Sequence, residues 1–227
     1  MRYTSVIFDL DGTLVDSAPD IHRCVNMALK DFELEEIGLE QTRKAIGPAG
    51  DGFRLAILKG RRDLMPFAEK VELRYRDYYW ESSTELTRPF ARMEETLIAL
   101  KESGARLGVA TNKPLAQSQR ILDKLSLSGY MDAVLGPESV ERAKPAGDMV
   151  LAAVEQLDGS ADMSLMVGDT DNDSLAGRAA GVDICMVTYG YMSPEGWGPN
   201  PAEFVINSPD ELVDVVCGQH EKLTVLE

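Results

Sequence analysis

The sequence predicts an α/β fold, a parallel sheet flanked by helices, with a helical unit inserted after the first strand. Two observations carry this. Six short apolar runs, Ser5 to Phe8, Arg106 to Ala110, Ala133 to Leu135, Leu165 to Val167, Ile184 to Val187 and Phe204 to Ile206, alternate with segments of helical spacing. Strand, crossover helix and parallel strand in succession produce that rhythm. The stretch from Val15 to about Arg88 breaks it, holding helical patterns and no convincing strand. Such an interval is too long for an ordinary connection between neighbouring strands.

Taken in order, the first run ends at Phe8, just before Asp9, and Gly12 then permits a sharp turn. In the insert, Ile21, Val25, Ala28, Leu29 and Phe32 form one helical stripe, and Phe67, Val71, Tyr75 and Tyr78 another. Prolines near Asp16 to Pro19 and near Thr87 to Pro89 stop these patterns. The expected division is therefore a discontinuous Rossmann-like core, 1–15 with 89–227, and a helical cap, 16–88. Beyond the insert, Met93, Leu97 and Leu100 share one helix face, and Val150, Val154 and Leu157 share another. The segment Gly47-Pro48-Ala49-Gly50-Asp51-Gly52 is not a nucleotide loop, because Phe53 stands where a P-loop requires Lys and no strand precedes it. We read it as a turn between cap helices, with Gly47 to Arg54 a candidate contact to a substrate's organic part.

A chain of 227 residues can bury a sizeable core without disulfides. Its three cysteines, Cys24, Cys185 and Cys217, are far apart and form neither a CxxC pair nor a metal cluster. The first apolar run is too brief for a signal core or a membrane span. These features lead us to expect a soluble, cytoplasmic protein, a monomer or homodimer. With 23 Lys plus Arg against 38 Asp plus Glu, the formal net charge is −15. A surface of that sign repels nucleic acid and anionic membrane, so neither is expected as a partner. It also repels a small anionic substrate, whose site would need a local cation. His22 and His220 do not make a zinc site, so carboxylates must carry any metal chemistry, and they select a hard ion.

Candidate chemistry clusters after the apolar runs. Asp9 and Asp11 follow the first, at the carboxyl end of a strand, where open α/β sheets place their ligands. Two carboxylates there can divide labour, one attacking or binding metal and the other moving protons. A lone D-x-D serves as well as a solvated turn. Thr111 and Asn112 follow the second run and precede Pro114 and a helical segment, where an anion could sit on free amides or the pair could simply cap the helix. Lys144, in the loop before a helix beginning near Asp148, could supply the local cation, with Lys113 a competitor, or could be a solvated surface lysine. Asp169 and Asp173 follow the Leu165 to Val167 run. Their D-x-D-x-D pattern is not a calcium loop, because Ser174 and Ala180 occupy the positions of the required Gly and Glu. Asp169 suits magnesium, and the acidic run also suits a helix N-terminus.

Together and in this order, Asp9 to Thr13, Thr111, Lys144 and Asp169 to Asp173 resemble the four motifs of the haloacid dehalogenase superfamily. Within it, Asp9 to Ile21, Thr111 to Pro114 and Thr188-Tyr189-Gly190-Tyr191 look most like the phosphoglycolate phosphatase group. Ala146-Gly147-Asp148 and Arg88-Pro89-Phe90 depart from that group's usual prolines and Pro-Gly. The resemblance implies a phosphatase for a small phosphorylated metabolite that requires Mg²⁺, with 2-phosphoglycolate as first choice. Small sugar phosphates and pyrophosphate are the alternatives. Asp9 would be the nucleophile and Asp11 the acid and base. The metal would be held by Asp9, the Asp11 carbonyl and Asp169, with Asp173 in or just behind that set. Thr111, Asn112 and Lys144 would hold the phosphoryl group.

A phosphosugar mutase of the same superfamily would carry a His where Ile21 stands, with His22 one residue late. A dehalogenase would lack Asp11. From another class, a non-catalytic protein could hold a divalent ion on the same carboxylates.

Overall fold

The structure is a computed structural model describing residues 1–47, 51–199 and 202–223. Pro48, Ala49 and Gly50, in the glycine-rich turn considered above, lie outside the described residues. Two compact units are present, 1–15 with 89–227, and 16–88.

The larger unit is built on β1 (Ser5–Phe8), β4 (Arg106–Ala110), β5 (Ala133–Leu135), β6 (Ser164–Gly168), β7 (Asp183–Val187) and β8 (Phe204–Ile206); β2 (Val15–Asp16) and β3 (Arg88–Pro89) form a separate two-stranded sheet. The six run in the order β5-β4-β1-β6-β7-β8, and every pairing is parallel. The expected α/β sheet and its flanking helices are thus present. β2 and β3 escaped the sequence reading because two residues cannot display the alternation that marks a strand.

Strand alternation splits the core between two faces. Ile7, Ala110, Met166, Ile184 and Met186 pack with Met149, Val150, Ala153 and Ala176 on one face, beneath α7 (Asp148–Gln156) and α8 (Asp171–Ala180). On the other, α5 (Met93–Glu102) and α9 (Glu211–Cys217) lie together, burying Met93, Leu97, Leu212 and Val215. α6 (Leu115–Lys124) packs at β5. With helices on both faces, the strands read as continuous apolar runs.

The smaller unit contains α1 (Ala18–Asp31), α2 (Leu39–Ala45), α3 (Asp51–Ile57) and α4 (Met65–Ser82), with α1 packed along α4. α1 buries Ile21, Val25, Ala28 and Leu29, as its stripe predicts. In α4 the buried face is rotated from the one expected. Ala68, Val71, Tyr75 and Tyr79 point inward, while Phe67 is 47 % exposed. Tyr75 stacks on Tyr79 and meets the Phe53 ring, and Glu72 is drawn onto the same face by Arg54 and Arg76. Those contacts choose the face, and hydrophobicity alone cannot.

Candidate active site

The order reverses at β1: the chain adds β4 and β5 on one side of it and β6 to β8 on the other. A crevice outside the carboxyl ends of the strands is expected at such a reversal. Asp9 is the first residue after β1 and Asp169 the first after β6, and the Asp9 amide donates to the Val167 carbonyl at 2.9 Å. Thr111 is the first after β4, Lys144 lies in the loop before α7, and Asp173 is in the first turn of α8. Leu14 N and Val15 N both donate to the Leu10 carbonyl, folding the chain after Asp9 into a tight turn. Gly12 makes that turn with φ +85°, and a Cβ there would lie 2.4 Å from Asp169 Oδ2. Only glycine satisfies both conditions.

Two lysines divide the carboxylates between them. Lys144 Nζ stands 2.7 Å from Asp9 Oδ1 and 2.6 Å from Asp173 Oδ1. Lys113 Nζ stands 2.6 Å from Asp11 Oδ2. Each of the two lysines that the sequence offered as the local cation thus has its own carboxylate partner. Burial works against the Lys144 ammonium, but Asp173 and Asp9 outweigh it and hold its pKa above the usual lysine range. Asp9 moves the other way from an ordinary carboxylate. Burial raises its pKa to about 6, with Asp173 and Asp11 adding to the rise and Lys144 opposing it. Asp169 is raised well above the usual range, first by burial and then by Asp173 and Asp9.

Accessibility separates the carboxylates further. The side chains of Asp9 and Asp11 are 11 % and 12 % exposed, whereas that of Asp173 is 1 % exposed. Asp173 Oδ2 accepts from the Thr170 amide at 3.0 Å and the Thr170 hydroxyl at 2.8 Å, which makes it the third residue of a capping box at the start of α8. With Lys144 on its other oxygen, Asp173 is held from both sides.

Asp169 has supports that the sequence reading did not single out. Tyr191 N donates to its Oδ2 at 2.7 Å, Thr13 Oγ1 to its Oδ1 at 3.2 Å, and Trp197 Nε1 to its backbone carbonyl at 2.8 Å. A Cβ on Gly190 would fall 2.2 Å from Asp169 Cβ. Gly190 and Tyr191 lie in the Thr188 to Tyr191 segment quoted for its resemblance. No spacing or pattern in the sequence points to Trp197.

The α6 end of the site differs from expectation. Pro114 caps α6 from just outside it, and the first helical amide, Leu115 N, donates to Glu138 Oε2 at 3.0 Å. That amide already has its anion. Thr111 is 2 % exposed, and its Oγ1 accepts from Lys113 N at 3.3 Å, so the hydroxyl proton is left to donate. Asn112, expected to face the phosphoryl group, places its Nδ2 2.9 Å from the Lys144 carbonyl.

A model of the haloacid dehalogenase-like hydrolase family matches residues 6–187, a span that includes Asp9, Asp11, Thr111, Lys144, Asp169 and Asp173. The chain belongs to the haloacid dehalogenase-like hydrolase family. That is the membership its motifs imply. This hydrolase is 36 % identical over 211 residues to a phosphoglycolate phosphatase of Aquifex aeolicus, covering 93 % of this chain and 95 % of that one. It is 31 % identical over 220 residues to an N-acetylmuramic acid 6-phosphate phosphatase of Pseudomonas aeruginosa, covering 95 % and 96 %. Among solved structures it superposes on a predicted phosphoglycolate phosphatase from Haemophilus somnus with a TM-score of 0.87 at 26 % identity, covering 95 % and 98 %.

The donor set of this hydrolase suits a hard divalent ion. Asp9, Asp169 and Asp173 each present an oxygen within 4.8 Å of the others, and all three residues are buried. Burial and mutual repulsion push Asp9 and Asp169 toward the neutral form, a tension that a bound cation relieves. Carboxylates with no imidazole or thiolate select a hard, oxygen-seeking ion of the magnesium class. Among the described residues no helix is long and apolar enough to cross a membrane.

Proposed function

We propose that this chain is a Mg²⁺-dependent phosphatase that hydrolyses 2-phosphoglycolate through an aspartyl-phosphate on Asp9. The observation that carries the reading is the division of the two carboxylates after β1: Asp9 on Lys144 and within the metal-suited cluster, and Asp11, two residues on, outside it on Lys113. In this scheme an Asp9 carboxylate oxygen attacks phosphorus, and the ester oxygen leaves with a proton from Asp11. Asp11 then takes a proton from water as that water attacks the aspartyl-phosphate, releasing inorganic phosphate and restoring Asp9. One residue thereby serves both half-reactions.

Charge makes the lysines necessary. At ~4 Å and an effective dielectric near ~20, each like-charge pair between a phosphate and a carboxylate costs about 4 kcal/mol. Lys144, already poised on Asp9, offsets part of that cost and is placed to stabilise charge on the transferring group. Asp9 and Asp169, with the Asp11 carbonyl, would hold Mg²⁺, and Asp173 would steady the set through Lys144. When bound, the ion supplies charge neutralisation and orientation for the phosphoryl oxygens.

The choice of ester rests on the relatives. The A. aeolicus protein supports 2-phosphoglycolate, and the P. aeruginosa protein supports a phosphorylated amino sugar as the second reading. We assign the choice between them to unit 16–88, read as the cap. A mutase is disfavoured because the His22 ring is tied to Thr42 Oγ1 at 3.1 Å within that unit. Phosphate release from a panel holding 2-phosphoglycolate, N-acetylmuramic acid 6-phosphate, a hexose phosphate and pyrophosphate, with and without Mg²⁺, tests the proposal. A kcat/KM for 2-phosphoglycolate below that for either sugar ester would reassign the substrate, and no release from any of them would remove the phosphatase reading.

A further inference from the structure

We infer that Asn112 serves the reaction as a positioning residue for Lys144 and not as a ligand of the phosphoryl group, an inference that rests on the phosphatase reading above. Lys144 is gripped at both ends. Its ammonium lies between Asp9 Oδ1 at 2.7 Å and Asp173 Oδ1 at 2.6 Å, while its backbone carbonyl accepts from Asn112 Nδ2 at 2.9 Å. A lysine stem carries much rotamer freedom, so a lysine anchored only at its tip is poorly aimed. Asn112 is itself well placed to anchor it. It lies one residue beyond Thr111, whose amide donates to the Leu135 carbonyl at 3.2 Å and so continues the β4 to β5 ladder. A group carried on a sheet end holds position better than one on a free loop.

The other end of the same amide strengthens the case. Asn112 Oδ1 is buried and has no hydrogen-bond partner among the described residues. Exchanging its oxygen and nitrogen would set Oδ1 against the Lys144 carbonyl at 2.9 Å, two acceptors in repulsion. The amide therefore keeps the orientation that strands its oxygen, at the cost of an unpaired buried acceptor. The geometric return on that cost is the donor on Lys144. An amide oxygen has no proton to offer a phosphoryl oxygen, and one of the two Nδ2 hydrogens is already committed.

The test compares wild type, N112A, K144A and the double variant on an aryl phosphate with Mg²⁺, with inorganic phosphate as competitive inhibitor. N112A should lower kcat about 10- to 100-fold, as loss of a supporting contact does. Its Ki for phosphate should rise no further than that of K144A, because Lys144 remains the group that meets the phosphoryl oxygens. On the K144A background, adding N112A should change kcat less than about twofold, since the two residues act through one ammonium. Because N112A also removes the stranded oxygen, it should melt no lower than wild type. A phosphate Ki in N112A that exceeds that of K144A, or an N112A effect of undiminished size on the K144A background, overturns the inference. So does a loss of activity that only follows the unfolded fraction. A wild type that releases phosphate from no ester removes the phosphatase reading and this inference with it, and that result is read on the wild type alone.

Discussion

Lys144 Nζ lies 2.7 Å from Asp9 Oδ1, a contact that joins residues 135 positions apart in the chain. The same ammonium reaches Asp173 Oδ1 at 2.6 Å, so one buried cation ties the loop before α7 to the end of β1 and the start of α8.

Asp9→Asn should abolish turnover, by about four orders of magnitude or more, because an amide oxygen cannot serve as the attacking carboxylate. The fold should survive, since Lys144 keeps Asp173 as its partner. Phosphate release by protein of unchanged circular dichroism is the measurement. Substantial activity in that protein would remove Asp9 as the nucleophile.

Lys144→Met should lower stability. The lysine side chain is only 2 % exposed, and its loss leaves Asp9 and Asp173 facing each other without a cation. Breaking a buried pair in this way costs about 3 to 5 kcal/mol. Urea denaturation reads the loss, and added Mg²⁺ should recover part of it by binding the same carboxylates. A change under about 1 kcal/mol would mean that the lysine is not needed to hold the cluster together.

Asp169→Asn should weaken Mg²⁺ binding by at least about tenfold, and Trp197→Phe should weaken it by a smaller factor. Asp169 is fully buried within the cluster, and Trp197 Nε1 donates to its carbonyl at 2.8 Å. Phenylalanine keeps most of the bulk and removes that donor. Calorimetric titration with Mg²⁺, independent of turnover, checks both variants. An unchanged affinity in Asp169→Asn would exclude Asp169 from the metal site.

Stability of unit 16–88 should fall in acid through Asp20. Burial works to raise the pKa of this carboxyl, but Arg23, the Thr87 and Leu86 amides and the Thr87 hydroxyl outweigh it and hold it below the usual range. Its Oδ2 accepts from Leu86 N at 2.9 Å and from Thr87 N and Oγ1 at 2.8 Å each. A carboxyl depressed in the folded state stabilises the fold fully above its unfolded pKa, about 3.9, and that contribution is lost as pH falls through the lower folded value. Melting temperature measured from pH 6 to pH 2 should therefore drop below about pH 4. Asp20→Asn should flatten that part of the curve, and an unchanged slope in the variant would assign the acid sensitivity elsewhere.

The apolar runs alone mark the six strands of the main sheet and put the candidate site residues at their ends. Each apolar run is long enough to mark a strand buried on both faces, and a parallel sheet puts whatever follows each run at one edge. Asp9, Thr111 and Asp169 could therefore be placed from order alone. Tertiary structure decided the pairings, because sequence separation says nothing about which of two lysines meets which carboxylate. Lys113 found Asp11 across 102 positions, and Lys144 found Asp9 and Asp173. It also turned α4 onto the Tyr75 and Tyr79 face and brought Trp197 to Asp169. These are contacts between distant segments, chosen by packing and by the need to pair buried charge, and neither requirement leaves a local pattern in the chain.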